Sequence, residues 1–303
     1  IKPAFDDSKW QSVTVPHDWA IYGPFSSLND KQEVAISQDG QKEAMEHAGR
    51  TGGLPFVGVG WYRTEFDVPQ FQAGKRATIL FDGAMSHANV YINGQKVGYW
   101  PYGYNSFHFD ITKYLKPGEK NTLAVRLENL PESSRWYPGA GLYRNVHLII
   151  TEDAYIPVWG TYITTPSVNE KFAKVNVRTK VVLPEGADPA KYSVETSVWN
   201  PNKQKLTAVR TSLAQMKYNN NQAEQEFVIQ APSLWSPEMP ALYSAETRLY
   251  EGDKLKDIYT TPFGIRSIEI IPDKGFFLNG KRTVFKGVCN HHDLGPLGAA
   301  VND

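Results

Sequence analysis

Apolar and polar residues alternate one by one through most of this chain. In AKVNVRTKVVL (173–183), Val175, Val177 and Val181 fall on one side and Lys174, Asn176, Arg178 and Lys180 on the other; a period of two marks a half-buried antiparallel strand. HANVYINGQKVGYW (87–100) sets Asn93-Gly94 between two such runs, and a dipeptide that accepts positive φ at both positions is the strongest short hairpin signal. YLKPGEKNTLAVRLEN (114–129) turns at Pro117-Gly118 and continues with Leu123, Val125 and Leu127 as a buried row. Helical periodicity is nearly absent. Only QKEAMEHA (41–48), bounded by Gly40 and Gly49, predicts a short surface helix.

Turn signals at intervals of about 8 to 12 residues indicate β-sandwiches rather than alternating strands and helices. The fold class is therefore mainly β. One boundary falls where NVHLIIT gives way to EDAYIP and another near RSIEIIPDKGF, giving segments 1–155, 156–268 and 269–303. The middle one has the length and alternation of a seven-strand immunoglobulin-like sandwich, which needs about 100 residues. The first is interrupted by a polar, Gly-rich stretch, 24–60, longer than the roughly 12 to 15 residues of an ordinary connection.

Length and composition narrow the functions. A chain of 303 residues can hold two ordinary cores and the start of a third, since single cores stop growing near about 250–300 residues. Lys and Arg total 32 and Asp and Glu total 32, so no summed field attracts nucleic acid or an anionic membrane. Aromatics reach 13%, with 8 Trp and 16 Tyr; such rings suit sugar faces, although a large β core absorbs most of them. The single cysteine, Cys289, excludes an internal disulfide and leaves the compartment undetermined. No apolar run approaches the roughly 18 to 20 residues of a membrane span, and IKPAFDDSKW does not read as a targeting segment.

Several stretches carry a family likeness. VTVPHDWAIYGPF (13–25), VGWYRTEFDVP (59–69) and SSRWYPGAGLYRNVHL (133–148) resemble the sugar-binding jelly roll of glycoside hydrolase family 2. LWSPEMPALYSAETRLY (234–250) with FGIRSIEI (263–270) resembles that family's immunoglobulin-like domain, and FFLNGKRTVFKGVCNHHDLGPLGAAVN (276–302) the first strand and loop of its (β/α)8 catalytic barrel. The resemblance implies a jelly-roll sandwich, an immunoglobulin-like sandwich and a C-terminal remnant of the barrel. It also implies a retaining exo-glycosidase, nearest to the family's β-galactosidases, with β-glucuronidase or β-mannosidase as alternatives and a non-catalytic carbohydrate-binding module as the rival from another class. Retaining enzymes use two carboxyl groups about 5–5.5 Å apart. In the family both are glutamates from later barrel strands, so this chain is expected to hold no catalytic residue and, alone, to be inactive. The resemblance puts any divalent cation, such as Mg, in the barrel and no cofactor here. It leaves a homo-oligomer of the full-length enzyme open and points to a periplasmic or secreted parent.

The same resemblance nominates substrate-binding residues. His291 and Asp293 follow the expected barrel strand, with His291 as the family's sugar-contacting histidine or, alternatively, a loop histidine satisfied by backbone carbonyls. Cys289, His291 and Asp293 share one face, but ligands two residues apart strain tetrahedral zinc geometry. Ser134, Arg135 and Trp136 form a polar and aromatic run suited to bidentate hydrogen bonding of vicinal hydroxyls beside a ring. Asp18 stands either on the rim of the sugar site or as a turn residue capping backbone amides.

Overall fold

Strands of period two each leave one face to bury, and this chain buries those faces in separate sandwiches. The structure is a computed structural model; it describes residues 4–29, 31–47, 56–70, 74–133, 137–215, 222–288 and 298–300. Two compact units emerge, residues 1–150 with 288–303, and residues 151–287.

The first unit begins with a ribbon, β1 (Gln32–Val34) against β2 (Met45–His47). Here the helix expected over QKEAMEHA is replaced by strand β2, and Lys31 Nζ lies 2.5 Å from Glu46 Oε1. An isolated two-turn helix would have to meet a costly nucleus by itself, whereas β1 supplies ladder partners directly. The sandwich follows with β3 (Gly58–Asp67), β4 (Arg76–Phe81), β5 (Ala88–Ile92), β6 (Gln95–Trp100), β7 (Phe107–Asp110), β8 (Lys120–Asn129) and β9 (Val146–Thr151). They form two sheets in the orders β3-β8-β5-β6 and β7-β4-β9.

The Asn93-Gly94 turn joins β5 to β6 with φ of 51° and 82°, as its residues predict. The Asn93 side chain then reaches back, donating to Asn121 Oδ1 at 2.7 Å and accepting from the Thr122 amide at 3.0 Å. The turn is thereby tied to the start of β8. Between the sheets, Phe81, Val90, Ile92, Val125 and Leu127 are fully buried. Phe81 stacks on Phe107 at 4.9 Å between centroids and Phe107 on Trp100 at 5.6 Å. Each such side chain is worth about 1.5–3 kcal/mol in burial, against about 0–1 kcal/mol for an exposed ion pair, so the core carries the unit.

The second unit contains β10 (Thr161–Val168), β11 (Phe172–Lys180), β12 (Tyr192–Trp199), β13 (Lys205–Ser212), β14 (Gln222–Gln230), β15 (Tyr243–Glu251) and β16 (Lys254–Phe263). Three of them, β10-β11-β14, face four, β13-β12-β15-β16, the seven-strand immunoglobulin-like arrangement expected. Val175 and Val177 of β11 are buried while Arg178 and Lys180 point outward. Gln225 is buried too, and its amide donates to the carbonyls of Val194 at 3.1 Å and Val209 at 2.8 Å, stitching β14 to the opposite sheet.

At one end of this unit Lys256, its side chain only 6% exposed, places Nζ 2.8 Å from Asp153 Oδ1 and 3.6 Å from Glu251 Oε2. The hydrogen bond with Lys256 holds the Asp153 carboxyl below its ordinary value, and the same bond raises the lysine. A depressed carboxyl stabilises the fold above its unfolded value, near about 4, and loses that contribution as pH falls through the folded value. Lys256→Met should therefore lower the urea midpoint clearly at pH 7 and much less at pH 3; equal losses at both would contradict the pairing.

The unit closes with a small antiparallel sheet, β17 (Ile268–Ile271), β18 (Gly275–Leu278) and β19 (Lys281–Arg282). Asn279 locks its turn, accepting from the Ser267 amide and donating to the Trp235 carbonyl, both at 3.0 Å. The first barrel strand that the family resemblance implies within 276–302 is not formed over 283–288. Those residues instead have no ladder partner among the described residues, and Phe285 and Val288 stand 74% and 89% exposed. The Thr283 amide still donates to the Phe276 carbonyl at 2.9 Å; beyond it the segment meets no ladder neighbour among the described residues, and without one an extended segment does not become a strand.

Candidate functional site

Three segments far apart in sequence meet at one corner of the first unit: 17–22, 137–143 and 298–300. Pro16 restricts Val15 to extended conformations, and the chain then turns through His17 and Asp18 into a short 3-10 helix, Ala20–Tyr22. Asp18 is 1% exposed. Its Oδ1 accepts from the Ala20 amide at 3.1 Å; its Oδ2 accepts from Tyr137 Oη at 2.6 Å and from the Ala299 amide at 2.8 Å. Burial pushes this carboxyl above its ordinary value, against the pull of those donors.

Beside it, Tyr62 from β3 places Oη 2.8 Å from His17 Nδ1 and 3.3 Å from the His17 carbonyl. Desolvation raises the Tyr62 phenol and lowers the His17 imidazole, so the pair is neutral at pH 7. Tyr22 stacks on His17 at 5.5 Å. Trp19 lies flat over Gly60, where a Cβ would come within 2.9 Å of its ring. Gly141, with φ +91°, is enclosed by Tyr62 Oη, the His17 carbonyl and the Trp19 ring.

Residues 298–300 reach this corner against apolar side chains. Met85, Tyr143 and Ala299 form one buried cluster, with Tyr104 and Ala300 packed on it. Tyr143 Oη donates to the Gly103 carbonyl at 2.8 Å, fixing the loop that carries the exposed Tyr102. A cavity of about 950 Å³ adjoins the corner along β3, lined by Trp10, His17, Trp19, Trp61, Tyr62 and Arg63 among others. Arg63 is paired there with Asp7. Buried nitrogens of His17 (Nε2) and Trp19 (Nε1) have no hydrogen-bond partner among the described residues.

Of the residues nominated from the sequence, Asp18 is the one the structure describes; Ser134, Arg135, Trp136, His291 and Asp293 lie outside the described residues, as does Cys289. Asp18 takes the capping role toward Ala20 and adds two further donors. Sequence reasoning did not find Gly141, Gly298 or the Tyr62–His17 contact. The signal available for them was a glycine inside a rim motif, GAGLY or PLGAA, where φ is positive and another residue's atoms sit against the Cα. The Arg266 guanidinium lies over the Trp235 ring at 4.8 Å. Among the described residues no group of three or more His, Cys, Asp or Glu is placed to hold a metal ion, and no helix is long and apolar enough to cross a membrane.

Comparison with known proteins matches residues 50–152 to the model described as glycosyl hydrolases family 2, sugar binding domain, and residues 155–266 to the model described as glycosyl hydrolases family 2. A β-galactosidase of Bacteroides ovatus is 41% identical over 302 residues, covering 99% of this chain and 33% of that protein. A β-glucuronidase of Bacteroides fragilis is 34% identical over 257 residues, covering 80% of this chain and 36% of that one. Among solved structures, a family 2 member from Bacteroides cellulosilyticus superposes with a TM-score of 0.85 at 34% identity, covering 99% of this chain and 37% of that one. The chain thus spans about a third of the length of these relatives.

Proposed function

The chain belongs to glycosyl hydrolases family 2, and from that premise we propose that it is the front portion of a retaining exo-glycosidase acting on terminal β-galactosides. The observation that carries this reading is the 41% identity to a β-galactosidase along 99% of the chain. In this role the two sandwiches supply walls of the sugar pocket, and the two reacting carboxyl groups, about 5–5.5 Å apart in such enzymes, belong to polypeptide outside these 303 residues. The corner around Asp18, Tyr137 and the neutral His17–Tyr62 pair is built for rigidity: Asp18 accepts from Ala20, Tyr137 and Ala299 at 3.1, 2.6 and 2.8 Å. A rigid, dry wall suits recognition of sugar hydroxyls, because a misplaced donor is not compensated by water.

A second reading, β-glucuronidase, is supported by the Bacteroides fragilis relative. The two sugars differ in the C5 substituent, hydroxymethyl against carboxylate, and in the C4 hydroxyl, axial against equatorial; a site built to pair a carboxylate rejects the neutral analogue strongly. The deciding experiment is kcat/KM of the full-length protein on nitrophenyl β-galactoside and nitrophenyl β-glucuronide. At least tenfold preference for the galactoside is expected; preference for the glucuronide moves the assignment, and no cleavage of either removes it. The 303-residue chain alone should turn over neither.

A further inference from the structure

We infer that Asp18 is a positioning residue whose carboxylate latches the backbone of residues 298–300 to the first sandwich, and that the register of this segment at the sugar pocket depends on that latch. The inference rests on the proposed function for its link to sugar cleavage, but the latch itself stands on geometry. A residue that only caps the Ala20–Tyr22 turn needs one oxygen, and Oδ1 does that for the Ala20 amide. The other oxygen is given wholly to distant partners, Tyr137 Oη at 2.6 Å and the Ala299 amide at 2.8 Å, the latter 281 residues away in sequence.

The backbone is also shaped to approach the carboxylate. Gly298 has φ +62°, and a Cβ there would collide with the Asp18 carboxylate and with Ile21. Its lack of a side chain is what lets the next amide, that of Ala299, point at Oδ2. Around it, Met85, Tyr143 and Tyr104 offer apolar contact, which is non-directional and would tolerate sliding of the segment. Hydrogen bonds to a buried acceptor are short-range and directional, so they set the register. Asp293, nominated as a sugar contact, precedes Ala299 by six residues.

Hydrogen exchange at the Ala299 amide tests the latch in the 303-residue chain. Asp18→Ala and Tyr137→Phe should each raise its exchange at least threefold while the β5 and β8 amides keep their protection. A rise below threefold in Tyr137→Phe, which removes one donor without opening the corner, overturns the latch even where Asp18→Ala loosens the whole sandwich. In the full-length protein, Asp18→Ala should lower kcat/KM on the nitrophenyl glycoside at least tenfold. Asp18→Asn should restore a good part of it, since the amide oxygen still accepts from Ala299 and Tyr137. Raised exchange with kcat/KM within threefold of the parent, or no rescue by Asn, overturns the positioning role. A parent that cleaves no glycoside removes the proposed function instead, and the exchange result still decides the latch.

Discussion

Phe81→Ala is expected to cost the first sandwich about 3–5 kcal/mol, the range for truncating a buried aromatic. Phe81 is fully buried at the end of β4, its ring stacked on Phe107 at an interplanar angle of 12°, and Phe107 in turn stacks on Trp100. Removing the first ring leaves a void that the stack cannot close, because β4 and β7 are pinned by their ladder, with Phe81 directly opposite Phe107. The loss should be local to one unit. Differential scanning calorimetry, with hydrogen exchange to assign the transitions, should show the β4, β5 and β8 amides losing protection several degrees earlier while those of β11, β12 and β15 are unchanged. Equal loss in both sets would mean that the sandwiches do not unfold as separate units.

Gly141→Ala should be as damaging for a different reason. At φ +91° an alanine meets a backbone penalty of about 1–2 kcal/mol, and its Cβ would also press on Tyr62 Oη, the His17 carbonyl and Trp19 together. Overpacking a closed site adds about 1–3 kcal/mol, for a total of roughly 2–5 kcal/mol. Gly186→Ala separates the two terms, since it has φ +74° with nothing within 4 Å of a new Cβ and should show the backbone penalty alone. Chemical denaturation of both variants beside the parent chain makes the comparison. If Gly141→Ala loses no more than Gly186→Ala, the corner is looser than its contacts imply. In the full-length protein the same substitution should also lower kcat/KM, as it displaces the His17 and Trp19 wall.

The sequence made most of the architecture legible because strand period and turn chemistry are local signals. Val175 and Val177 point inward where alternation places them, and Asn93-Gly94 makes the hairpin that its tolerance of positive φ predicts. QKEAMEHA was misread because its charges and alanines favour a helix in isolation, while a partner strand on the other side of a turn settled its conformation. The candidate site was less legible. Asp18 could be nominated from its motif, but its bonds to Tyr137 and Ala299 join residues 119 and 281 positions apart, and no local pattern encodes such a contact. Lys256 illustrates the same limit: an ordinary outward position in an alternating strand turns out to be nearly enclosed between two carboxylates.

The bare stretch at 283–288 has a practical consequence. Val284, Phe285 and Val288 present oily side chains, 64%, 74% and 89% exposed, on a segment without a ladder partner among the described residues, the combination that lets extended segments zip onto copies of themselves. A concentrated stock of the 303-residue polypeptide will therefore scatter light and drift toward precipitate. Weak sugar affinities measured at millimolar protein would register that clumping before they registered the sugar, so titrations belong in the low micromolar range with glycan in excess.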